Sequence, residues 1–150
     1  MSKKSVALLA LFFVVPLIVY LLWPSDEARI RTLFREGASA IEARNIDDVM
    51  SEVSFNYRDE HGLSYLYLKK LMERAFKEVK DIDVDYDIKR IDIRGDNATA
   101  DVDVRVVATR GAEAGYILGD SAGPLHITFS LDKERTEWLI TKTEGLPRMF

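Results

Sequence analysis

A chain of 150 residues holds one domain and little besides, and with 47% hydrophobic and 31% charged residues it is neither disordered nor wholly embedded in a membrane. A formal net charge of -4, with 21 basic residues scattered among 25 acidic ones, offers no footprint for a phosphate backbone and argues against a nucleic-acid partner. The absence of cysteine excludes disulfides, thiolate catalysis, cysteine-held zinc and lipid attachment at cysteine.

Lys3 and Lys4 precede an uncharged run from Val6 to Trp23. As a helix rising ~1.5 Å per residue the run covers roughly 27 Å, close to the ~30 Å hydrocarbon core of a bilayer. Its end, Tyr-Leu-Leu-Trp-Pro-Ser, lacks the small residues of a signal-peptide cleavage site, so it reads as an uncleaved signal anchor. Tyr20 and Trp23 fall where an interfacial aromatic belt belongs, and Pro16 is tolerable in a membrane helix. The lysine pair ahead of the run, set against the mixed charges behind it, places the N-terminus in the cytoplasm and the rest outside it, in the periplasm or beyond the cell. Residues 1–24 thus form an anchor in the inner membrane, with its helix at 6–23, and residues 25–150 a separate domain.

Ser25 is a candidate N-cap, with Asp26 and Glu27 in the first turn where carboxylates suit the helix dipole. Ile30, Leu33, Phe34, Ala38 and Ile41 recur at helical spacing, which predicts an amphipathic helix of about 18 residues ending at Asn45. A second short helix buries Ile46, Val49, Met50 and Val53. A third follows Ser64, and its stripe of Leu68, Leu71, Met72, Ala75, Phe76 and Val79 reads as core.

From Asp81 the period changes from helical to alternating, and Gly95-Asp96-Asn97 sits between two long alternating runs, which predicts an antiparallel hairpin. The apolar phase slips between Ile88 and Ile91, so a bulge is expected near Lys89 and Arg90. Residues 111–124 read as a long glycine-rich connection of the kind that often forms a lid or binding edge. A last hairpin turns at Asp132 to Arg135. Three helices followed by an antiparallel meander make an α+β domain with the helices on one face of the sheet.

Two motifs invite chemistry and lack the context for it. Gly119-Asp120-Ser121-Ala122-Gly123 fits the pattern of a hydrolase nucleophile, but Pro124 and a strand follow where a helix is required, and His126 stands too near in sequence to arrive from a later loop. Asp81, Asp83, Asp85 and Asp87 match part of a calcium loop, yet Tyr86 occupies the position where glycine makes the sharp turn. A solvated strand face is the better reading, and no metal or other cofactor is implied. His126 alternates with Leu125, Ile127 and Phe129, which puts it on the outer face of the sheet.

The segment "AIEARNIDDVMSEVSFNYRDEHG", a helix, a long hairpin turning at "RGDNATADV" and a last strand "EWLITKTEGLP" resemble the nuclear transport factor 2-like superfamily, with its SnoaL-like and cystatin-like α+β domains. The resemblance spans residues 26–148 and implies a cone, in which helices lean on a curved antiparallel sheet and leave a pocket. It also implies a choice among isomerases, dehydratases, cyclases, association domains and membrane-anchored assembly factors. Pairing of a base with a hydrogen-bond donor in acid-base members makes Tyr57, Asp59 and His61 the candidate catalytic set, with Tyr57, Tyr65, Tyr86 and Trp138 as candidate pocket lining. Three readings stay open: a tethered binding or scaffold module with an envelope protein partner, laid out like the assembly factor of type IV secretion systems; a carrier or acid-base enzyme for a small apolar ligand; and a homodimerisation module. The first is favoured, and a role other than catalysis with it.

Overall fold

A computed structural model describes residues 3–148. The apolar run is one helix, α1 (Lys3–Leu22), with Pro16 inside it. It is long and apolar enough to cross a membrane, and from Lys4 to Leu22 none of it is buried against the rest of the chain. Ser25 then caps α2 (Asp26–Glu42), its side-chain oxygen accepting from the Ala28 amide at 3.1 Å. Ile30, Leu33, Phe34 and Ala40 are buried, while Ala38 and Ile41 are only half-buried. The helix stops at Ala43 because Arg44 turns left-handed at φ 53°, and Asn45 opens α3 (Ile46–Ser51) by accepting from the Asp48 amide.

The third amphipathic stripe corrects the expectation drawn from its pattern. α4 (Tyr65–Glu78) forms behind Ser64, but Ser64 makes no capping bond and no residue of the helix is buried. Its partner is the small cluster of Met50, Val53 and Tyr57, onto which Tyr65 and Leu68 pack. A helical period reports one apolar side, and a partner large enough to cover that side is a separate requirement.

The sheet comprises β1 (Lys80–Arg94), β2 (Asn97–Arg110), β3 (Glu113–Leu118), β4 (Leu125–Glu134) and β5 (Glu137–Glu144), all antiparallel in the order β1-β2-β4-β5, with β3 on β2. The first hairpin turns tightly at Gly95 (φ +62°) and Asp96, a positive φ that glycine adopts without steric cost. The register slips between Ile88 and Arg90, where the apolar phase changes. The 111–124 connection is shorter than expected because residues 113–118 form β3, which pairs with Val106 to Arg110 beyond the point where β4 leaves β2. β3 and β4 therefore follow one another along the same edge of β2. The last turn is Arg135-Thr136, since β4 runs on to Glu134.

Alternation sorts the two faces. Ala100, Val102 and Val104 of β2, with Ile127, Leu131 and Trp138, meet Ile30, Leu33 and Phe34 of α2 in one core. Each such large side chain removed from water contributes about 1.5–3 kcal/mol. The other face carries Asp101, Asp103 and His126, whose Nδ1 lies 2.8 Å from Asp103 Oδ1. Asp81, Asp83, Asp85 and Asp87 of β1 are exposed, and among the described residues no cluster of three His, Cys, Asp or Glu could hold a metal ion.

Candidate functional site

Between α2 and the inner face of the sheet lies a cavity of about 130 Å³. Leu33, Phe34, Val84, Val102 and Phe129 line it, and the Phe34 and Phe129 rings meet edge to face at 5.0 Å. The space exists because α2 presents Gly37 and Ala38 where larger side chains would fill it; a Cβ added to Gly37 would meet nothing within 4 Å.

One carboxyl group enters this apolar wall. Glu52 is the residue after α3, and its backbone is sewn to β5: its carbonyl accepts from the Ile140 amide at 2.9 Å, and the Ser54 amide donates to the Ile140 carbonyl at 2.9 Å. That short parallel stitch sets Glu52 at the mouth of the cavity. Burial, followed by the negative charges of Glu36, Glu137 and Asp48, pushes its carboxyl from 4.5 up to about 7. The carboxyl makes no hydrogen bond among the described residues, so its proton is free for a ligand. Tyr86 also lines the cavity, and its hydroxyl likewise makes no hydrogen bond within the described residues.

Glu52 and Leu33 belong at once to the cavity and to an outer cleft of about 460 Å³, lined by Arg29, Thr32, Glu36, Glu137 and Trp138. The arrangement is a short apolar chamber, a proton-exchanging group at its door and a polar, acidic approach. Such a door can hold a hydroxyl or carbonyl group, or move a proton at neutral pH.

Of the sequence-derived candidates, Tyr86 lines the cavity and the others take other places. Tyr57 is buried in the cluster beneath α4, its hydroxyl 2.5 Å from Thr143 Oγ1, and burial raises its pKa. Asp59 holds its own loop, accepting from the His61 and Leu63 amides at 2.9 and 2.6 Å. His61 is exposed, with Nε2 3.5 Å from the Leu146 carbonyl. No hydrogen bond joins the side chain of one of the three to the side chain of another; Asp59 meets His61 only through the His61 backbone amide. The Tyr65 ring packs tilted against that of Phe55, with centroids 4.7 Å apart, and Trp138 lines the cleft rather than the cavity. Glu52 was passed over although a signal existed: it stands three residues after Val49 and next to Val53, on the edge of an apolar stripe.

The nucleophile motif is a turn. Asp120 Oδ1 accepts from the Ala122 and Gly123 amides at 2.8 and 3.1 Å, and the Ser121 hydroxyl makes no hydrogen bond to a histidine.

No protein-family model and no curated protein sequence matches the chain. Solved structures do. A ketosteroid isomerase-like protein from Erwinia carotovora atroseptica is similar at 15% identity, over 81% of this chain and 95% of that one, with a TM-score of 0.63. A conserved protein from Planctomyces limnophilus is similar at 14% identity over 79% and 92%, with a TM-score of 0.68. An NTF-2-like protein of unknown function from Shewanella oneidensis is similar at 14% identity over 79% and 97%, with a TM-score of 0.59. At these identities the likeness is one of fold.

Proposed function

Since this chain has the nuclear transport factor 2-like fold, we propose that it is a membrane-anchored binding module whose chamber takes a small apolar ligand bearing one hydrogen-bonding group. The observation that carries this reading is Glu52, a carboxyl raised to about 7 at the door of an otherwise apolar cavity. Near neutral pH it is present as both acid and carboxylate, able to donate to a carbonyl or accept from a hydroxyl. The same property would let it abstract or return a proton, with Tyr86 as donor, so acid-base catalysis is the extension of this reading. Lys3 and Lys4, at the start of α1, favour a cytoplasmic N-terminus in the inner membrane and a domain outside it.

Native mass spectrometry on residues 25–150 purified from their own cells tests the proposal. A retained small-molecule mass that disappears in Gly37→Leu supports it, because that substitution fills the chamber and suits the helix. A bare protein, folded and without added mass, counts against it. A second reading, as a module for an envelope protein, is favoured by the exposed apolar side chains Phe55, Leu66 and Tyr67 around the start of α4. Loss of one specific cross-linked partner in Phe55→Ser would distinguish it.

A further inference from the structure

The cleft that leads to Glu52 opens at the end of the domain that the anchor holds. Only Trp23, Pro24 and Ser25 separate Leu22, the last residue of α1, from Asp26, the first of α2. Four Cα steps of ~3.5 Å reach about 14 Å at most, so the start of α2 stays at the surface of any bilayer that α1 spans. The rim of the cleft is gathered at that same end. The Arg29 guanidinium lies 5.3 Å over the Trp23 ring and donates to the Thr136 carbonyl at 2.9 Å. Trp138 Nε1 donates to Asp26 Oδ1 at 3.1 Å, and Arg29, Thr136 and Trp138 all line the cleft with Glu52.

Size and charge narrow the occupant. A chamber of about 130 Å³ is smaller than the ~150 Å³ apolar cavity that accepts benzene, so it holds no more than roughly one ring or a short chain end. Anything longer must lie along the cleft, towards the anchor. Glu36, Glu52 and Glu137 stand along that path, and the cation there, Arg29, is engaged with Trp23 and Thr136. An anionic headgroup would meet repulsion from Glu36 and Glu137.

Resting on the reading of the chamber as a ligand site, we infer that the ligand is an uncharged amphiphile drawn from the bilayer, with its hydroxyl or carbonyl group at Glu52 and its apolar part shared between the chamber and the side of the cleft formed by Leu33, Trp138 and Leu139. The full chain in phosphatidylcholine vesicles tests this. The chain has two tryptophans, so Trp23→Phe leaves Trp138 as the only reporter in the cleft. The probe is oleyl alcohol brominated across its double bond, a short-range quencher, with oleic acid brominated in the same way as the anionic counterpart.

The expected result is loss of most of the Trp138 emission with the alcohol and little with the acid, reversed by unbrominated oleyl alcohol. A flexible Gly-Ser insert of about 20 residues after residue 23, with an r.m.s. reach of ~25 Å, should abolish the quenching by releasing the cleft from the membrane. Equal quenching with and without the insert, still reversible, overturns delivery from the bilayer and leaves the chamber reading standing. Equal quenching by acid and alcohol overturns the charge selection. Quenching that the unbrominated alcohol does not reverse overturns the site. No quenching in either chain, with circular dichroism showing both folded, defeats the chamber reading as well.

Discussion

Glu52 makes the folded state sensitive to pH. Its carboxyl ionises near 4.5 in an unfolded chain and at about 7 in the fold, so ionisation opposes folding. The contribution is fully present below the unfolded value and is lost as pH rises from 4.5 through about 7. Glu52→Gln removes that loss. It should be more stable than the parent by about 1–2 kcal/mol near pH ~8, after a discount for solvent in the cleft, and equal to it near pH ~4. Urea denaturation at the two pH values checks this, and equal curves at the higher one would remove Glu52 from its assigned role. Tyr57→Phe tests the opposite kind of residue. It leaves the buried Thr143 hydroxyl without its partner and should cost about 1–2 kcal/mol while any ligand is retained. The phenol, carboxylate and imidazole of the 56–61 segment were legible as chemistry but not as packing. Adjacent residues on one loop diverge, whereas Glu52 gains its setting from Ile140, far along the chain, by a pairing that no local pattern announces.

Helix starts, the hairpin and its bulge were readable because each follows from a few neighbouring residues: Ser25 at a cap, Gly95 at a turn, and the phase slip between Ile88 and Ile91. The fate of α4 and the existence of β3 depend on what lies opposite them, and no local rule supplies that. α4 has no buried residue and leans on a three-residue cluster, so it should open well below the global unfolding energy. Hydrogen exchange should find residues 65–78 losing protection long before β2, which has neighbours along both edges. Matched rates would mean that α4 is part of the cooperative core. The 119–123 turn gives a sharper contrast. Gly119 has φ +74°, and a Cβ there would lie 3.0 Å from the Gly123 carbonyl oxygen, so Gly119→Ala should cost about 1–3 kcal/mol. Ser121→Ala, at an exposed hydroxyl, should stay within about 0.5 kcal/mol of the parent.

At the level of the whole molecule, α1 and the rest of the chain share almost no surface, because α1 is unburied and its end meets the rest through Trp23 and Arg29. Residues 25–150 alone should therefore melt within a few degrees of the full chain in detergent, and a large drop would show that α1 belongs to the fold. Exposed strand edges are where copies of a sheet protein can join. β1 is such an edge, 15 residues long and paired only with β2. Glu42 covers one of its free amides, at Val84, and the bulge near Lys89 breaks its straight run. Two copies joining edge to edge would bring the aspartates at 81, 83, 85 and 87 of each into the shared ladder. Like charges set opposite one another oppose such a ladder, so the acidic strand acts as a guard against fibrous self-assembly of this edge.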